Sequence, residues 1–201
     1  MSDSNPFNGS FNFEGLDEVE LPEDFRIEGT LKLSWAGISR LPKGLSVGGD
    51  LKLFGSLIES LPDDLSVGGC LDLYGSRITC LPANLTVGSW LDLSHTPITS
   101  LPADIKVAGG LSVRHTPIAS LPDGLCVGRN LSLSDTSLAV LPERLTVGGD
   151  LYLYGTDIEE IPASAQIGGQ VFGLGHKRRY QGSGTLPDAT SMSRGVSPLP
   201  P

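Results

Sequence analysis

LPANLTVGSWLDLSHTPITS, residues 81–100, is the stretch from which the fold is read. Its opening Leu-Pro returns at 21, 41, 61, 101, 121 and 141, and Ile-Pro stands at 161, a period of 20 residues with no insertion. Repetition at so short and strict a period is the mark of a solenoid, in which each unit buries its apolar face only against the next. Counted from Leu-Pro, the unit reads L-P-x-x-L-x-V-G-G-x-L-x-L-x-G-T-x-I-x-x, and seven full copies run over 21–160. The eighth opens in phase with Ile161, Pro162, Ile167, Gly168, Gly169 and Val171, then dissolves into HKRRY. Upstream, Phe7, Gly9, Phe11, Phe13 and Gly15 keep the same phase, so residues 1–20 are expected to hold a degenerate first rung. The solenoid is expected over 21–175, and 176–201, basic and then rich in Gly, Ser and Pro, as a tail without packed structure.

Inside a unit the apolar residues alternate, Leu45-x-Val47 and then Leu51-x-Leu53, which is strand spacing and not the spacing of a helical face. Two short extended pieces per rung follow, with little room for helix. The Gly pairs between them, Gly48-Gly49 and Gly68-Gly69 among them, suit a corner that needs positive φ or close backbone approach. The Pro of each unit is expected on an arc whose amide needs no ladder partner.

Composition narrows the function classes. Against 14 Lys+Arg stand 23 Asp+Glu, a net charge of −9, which argues against a phosphate-neutralising nucleic-acid binder. No apolar run approaches the ~20 residues of a membrane span. The start, MSDSNPFNGSFNFEG, lacks the basic and apolar regions of a secretory signal, and three cysteines are too few for a disulfide scaffold. A cytoplasmic protein, or one exported without a cleavable signal peptide, is the expectation, as a monomer and without a cofactor.

The second half of the unit, as in Leu91-Asp-Leu93-Ser-His-Thr96-Pro-Ile98-Thr-Ser-Leu101-Pro102, resembles the L-x-L-x-x-N-x-L segment of leucine-rich repeats. The short unit with its Leu-Pro is similar to the class found in bacterial secreted effectors and in bacterial and phage proteins. That resemblance implies a non-enzymatic module for protein recognition, effector-like but lacking the catalytic domain that follows the repeats in ubiquitin-ligase effectors. The sequence departs from the family at its Asn position, which holds Ser56, Ser76, Thr96, Thr116, Thr136 and Thr156, with Ala36 the exception, and the family's first Leu gives way to the Gly pair. Two extended pieces per rung also suit a parallel β-helix, which stands as the alternative architecture.

With the Leu residues of unit positions 11 and 13 inward, alternation turns positions 10, 12 and 14 outward. Those columns hold Lys52, Phe54, Asp72, Tyr74, Trp90, Asp92, Arg114, Tyr152 and Tyr154, and we expect these residues to form the partner-binding face. Aromatic rings with Arg are the composition of interface hot spots. The plainer reading is that rings on a sheet pack across strands. Lys32 and Lys52 at one end oppose Asp72 and Asp92, giving the face a dipole. Stacked carboxylates beside rings also fit a carbohydrate-binding or carbohydrate-active solenoid, and a stiff rod fits a structural role in a phage-type particle. His95, His115 and Asp135 share one column and have the chemistry of a metal site. Yet the column otherwise carries Gly55, Gly75 and Gly155, and His and Asp tolerate the left-handed conformation that favours Gly, so no metal is assigned. Cys70, Cys80 and Cys126 match no ligand spacing. In the tail, Lys177, Arg178, Arg179 and Arg194 outnumber Asp188, a charge suited to capping the last rung.

Overall fold

A computed structural model describes residues 8–176. Among them the chain is a parallel β-solenoid of about eight turns with no helix. Each turn contributes one strand to each of two sheets. The nine-stranded sheet runs from Phe11–Asn12 and Leu31–Lys32 to Leu151–Tyr152 and Val171–Phe172. The eight-stranded sheet runs from Arg26–Ile27 to Gln166–Ile167. Register never slips: Leu51 faces Leu71 and Leu71 faces Leu91, so every residue lies against its equivalent 20 residues away. The terminal rungs obey the same pairing, Phe11 with Leu31 and Leu151 with Val171, so the worn first and last units still continue the ladder.

The strands are only two residues long because each is bounded by a turn that the sequence prescribes. The Pro carbonyl of several units accepts the amide three residues on, as Leu65 N donates to Pro62 O at 3.2 Å. After the second strand, the residue at unit position 15 has positive φ in every rung: 63° at Gly55, 64° at Gly75, 59° at His95, 53° at His115, 58° at Asp135. The shared backbone requirement explains why His and Asp occur in a Gly column. The Gly pairs at the other corner work differently. Their φ is ordinary, and a Cβ at Gly48 would come 2.7 Å from the Glu28 carbonyl oxygen. Close approach of stacked backbones, and not left-handed geometry, is what they supply. Ser89, Ala108 and Arg129 each replace a corner Gly, and each has Gly at the equivalent corner of the rungs on both sides, while Glu28 has Gly48 on one side.

Six columns of aliphatic side chains fill the interior. Leu31, Leu51, Leu71, Leu91, Leu111, Leu131 and Leu151 are fully buried, as are Leu33, Leu53, Leu73, Leu93, Leu133 and Leu153. One rung has no second layer to bury these faces against, so stacking is what turns the alternation into a core. Beside them the Thr residues satisfy a carbonyl inside the rung: the Oγ1 of Thr96, Thr116, Thr136 and Thr156 donates to the residue three back at 2.6–2.7 Å. Ser56 and Ser76, in the same column, bury an Oγ with no partner.

Candidate functional site

The outer face of the nine-stranded sheet carries the residues singled out by alternation. Lys52 and Asp72 pair in register, as do Asp72 and Asp92, and all are half-buried. Each carboxylate is occupied locally: Asp72 Oδ1 accepts Tyr74 N–H at 3.1 Å, and Asp92 Oδ1 accepts Ser94 N–H at 2.9 Å. Burial raises the Asp72 pKa above the ordinary 3.8, the Tyr74 amide opposes the rise, Asp92 adds to it and Lys52 offsets part of it.

Rings form a ladder along this face. Trp35 meets Phe54 edge-on at 5.0 Å between centroids, Phe54 stacks on Tyr74 at 4.9 Å, Tyr74 meets His95 at 4.8 Å, and His95 stacks on His115 at 4.4 Å. The ladder ends where His115 Nε2 lies 3.4 Å from Asp135 Oδ2. Glycine makes room for it, since a Cβ at Gly55 would sit 2.5 Å from the Trp35 ring. Further along, Tyr152 stacks on Phe172 at 5.1 Å, its hydroxyl donates to Asp150 at 3.2 Å, and Tyr154 meets His176 edge-on. Desolvation and that bond to Asp150 both raise the Tyr152 phenol above its ordinary pKa.

Between the ladder and the tyrosine pair lies a cavity of about 650 Å³. Six of the nine sequence-predicted residues line it: Tyr74, Trp90, Asp92, Arg114, Tyr152 and Tyr154. Lys52, Phe54 and Asp72 lie outside it, further down the same face. The floor corrects the expectation that these columns are exposed throughout. Ser94, Ser112, Ser132 and Ser134 are at most 8% exposed, because a short side chain lies below the tops of larger neighbours in its column. Ser94 Oγ and Ser112 Oγ bond to each other at 2.7 Å. Beyond the nine predicted residues, the cavity is lined by these serines, which alternation also turns outward, and by His95 and His115 on the rim, while Trp35, 66% exposed, heads the ladder.

The corner edge of the cavity differs chemically from the rest of the rod. Elsewhere the side chain of unit position 10 accepts the corner amide of the next rung: Asp50 takes Cys70 N–H at 2.8 Å, and Asn130 takes Asp150 N–H at 2.9 Å. Cys70, Trp90 and Gly110 carry no oxygen to do this. The amides of Trp90, Gly110 and Asn130 accordingly have no acceptor among the described residues. The Trp90 ring lies over Gly110, where a Cβ would collide with it.

Among the described residues no group of three side chains is arranged to hold a metal ion. His95, His115 and Asp135 are a ring stack and an ion pair. No helix among them is long and apolar enough to cross a membrane. Lys177, Arg178, Arg179 and Arg194 lie outside the described residues. No protein-family model, curated protein or solved structure matches the chain.

Proposed function

We propose that the protein is a non-enzymatic recognition module that docks a protein partner on the ring ladder of the nine-stranded sheet. The observation that carries this reading is the asymmetry of the ladder's exposure. Trp35 is 66% exposed, and Phe54 and Tyr74 are half-buried on a face whose reverse side is wholly aliphatic core. Rings held rigid by their neighbours lose little entropy on binding, and aromatic side chains dominate interface energetics. The adjoining charges, Lys32 and Lys52 before Asp72 and Asp92, suit a partner of mixed charge. Two features support the absence of catalysis: the paired aspartates are used as acceptors for their own turns, and the histidine column serves a left-handed backbone.

Kinship with bacterial leucine-rich repeat proteins, effector-like ones included, belongs to the same reading and rests on the L-x-L segments and the buried hydroxyl column. A reducing location is supported by Cys70, Cys80 and Cys126, all free thiols. The test is affinity capture with the wild type and with Trp35→Asn/Phe54→Ser, a pair in which Asn suits the left-handed φ of 58° at position 35. A protein retained by the wild type and weakened roughly 30-fold or more by the variant is expected, the loss of about 2 kcal/mol or more typical of a hot spot. Equal retention by both overturns the assignment.

A further inference from the structure

We infer that the serine-floored cavity between Tyr74 and Tyr154 is a binding site for a short neutral oligosaccharide. The inference rests on the reading of this face as the recognition face, but it concerns a different stretch of it from the Trp35–Phe54 end of the ladder. Four observations converge on a sugar.

The first is unmet hydrogen-bonding capacity. Ser132 and Ser134 are 8% and 5% exposed and line the cavity, and while their carbonyls accept Val113 N–H and His115 N–H, their hydroxyls have no hydrogen-bond partner among the described residues. Each hydroxyl keeps its opening to the cavity, so a ligand there can bond to it without first breaking a bond within the protein. Asn130, on the lining, adds an unaccepted amide and a side-chain NH2 along the corner edge. A polyol is a ligand dense in both donors and acceptors.

The second observation is the aromatic end wall. Tyr152 stacks one face on Phe172 of the following rung. Its other face is turned towards the rung of Ser132, where no ring of the described residues meets it. A flat ring, fixed on one side and open on the other above a hydroxyl floor, matches a pyranose, whose C–H face is apolar and whose rim is polar.

The third is what the lining lacks. Every lining residue is aromatic, charged, amide or hydroxyl, and none is aliphatic. The apolar surface the lining offers is ring faces alone, which suit the flat C–H face of a sugar, and the ladder groups that could pair an added peptide strand lie at the rod's two ends, not on this face.

The fourth is charge and size. Among the described residues Arg114 makes no ion pair, whereas Asp92 lines the same cavity and Asp135 and Asp150 flank it. One cation among carboxylates disfavours a polyanion and provides a donor and an acceptor for neutral hydroxyls. The volume of about 650 Å³ lies within the ~300–1,000 Å³ of small-ligand sites. Four rung spacings of ~4.8 Å separate the Tyr74 and Tyr154 rungs, a length of about 19 Å that suits several linked pyranose rings.

The experiment is binding of the full chain to an array of cello-, chito-, malto- and xylo-oligosaccharides, with uronic-acid and sulfated oligomers alongside. Hits are followed by titration calorimetry with wild type, Tyr152→Ala, Ser132→Ala and Trp35→Asn/Phe54→Ser. A neutral oligosaccharide is expected to bind the wild type, about tenfold or more weaker to Tyr152→Ala and about 2–10-fold weaker to Ser132→Ala, while the Trp35/Phe54 variant binds as wild type. Ser132→Ala removes one oxygen, so its unchanged melting and circular dichroism separate lost contact from lost fold. No binding to any neutral oligomer, binding confined to the acidic oligomers, or equal affinity of Tyr152→Ala and wild type overturns the inference. Protein capture sensitive to Trp35 and Phe54 would survive each of those outcomes, so failure of the sugar site and failure of the docking surface are read separately.

Discussion

Replacing Ser76 with Thr should stabilise the rod, and the size of the gain follows from the column in which Ser76 sits. Its Oγ is buried with no partner, and the residue is 3% exposed. On the next rung, Thr96 places Oγ1 2.6 Å from the Leu93 carbonyl and carries a methyl group in the same stacked position. Thr116, Thr136 and Thr156 repeat the bond on the three rungs that follow, so four adjacent Thr residues fit one above another. Extending that run by one rung adds a buried methyl, about 0.8 kcal/mol, and an intramolecular hydrogen bond, about 0.5–1.5 kcal/mol net. The expected gain is roughly 1–2 kcal/mol, which for a chain of this size raises Tm by about 2–8 °C. Thermal melting followed by far-ultraviolet circular dichroism, with urea titration at fixed temperature, measures it. A lower Tm would mean that the rung at Ser76 has no room for the methyl, since overpacking costs about 1–3 kcal/mol. That result would refute the equivalence of the Ser and Thr rungs on which the reasoning depends.

Other perturbations probe other columns. Gly128→Ala should destabilise by about 1–3 kcal/mol in urea titration, because its Cβ would collide with the Ala108 carbonyl and stack directly on a rung that already carries a corner side chain. At Gly75, with φ of 64° and nothing near its missing Cβ, Asn should be nearly neutral, whereas Val should cost about 1–2 kcal/mol through its left-handed backbone alone. Asp72→Asn keeps an acceptor for Tyr74 N–H and removes a desolvated charge. The Asp72 pKa is raised in the folded state, so the native protein holds its proton more tightly than the unfolded chain. Wild-type stability should therefore fall as pH rises from 3.8 through the folded pKa. The variant should lack that fall and exceed wild type at neutral pH, and melts between pH 3 and 7 showing parallel curves would contradict it.

The architecture was legible because a solenoid writes its register into the period. One residue of slip would turn Leu51 and Leu53 to solvent, so the spacing of Leu-Pro fixes which residue stacks on which. The left-handed column was legible too, through Gly55, Gly75 and Gly155 standing beside His95, His115 and Asp135. The corner glycines were ambiguous, since a Gly pair serves positive φ and close approach alike, and only the position of the Glu28 carbonyl against Gly48 distinguishes them. Alternation turned Tyr74, Trp90 and Arg114 outward, and all three line the cavity on the outer face of the nine-stranded sheet. It could not foresee that Ser132 and Ser134 lie sunken, because burial on a sheet face depends on the height of neighbours on the adjacent rungs, Tyr152 for Ser132, Arg114 and Tyr154 for Ser134, and not on the phase of the residue itself. The signal was present as a run of small side chains, Gly110, Ser112 and Ser132, among large ones. Trp35 was passed over for a related reason: its position in the unit is chosen by backbone conformation, and the ring's exposure follows from the missing side chain of Gly55.

Recognition, as proposed, belongs to one face of the rod. The direct measurement is the affinity of the captured partner, by surface plasmon resonance, for two sets of variants. One set, Trp35→Asn and Phe54→Ser, changes the outer face of the nine-stranded sheet. The other, Ser66→Arg and Thr86→Arg, changes the exposed outward positions of the eight-stranded sheet. With the ring ladder as the docking surface, the first set weakens binding roughly 30-fold or more while the second leaves it within about twofold. Loss from the second set with the first set unchanged would contradict it.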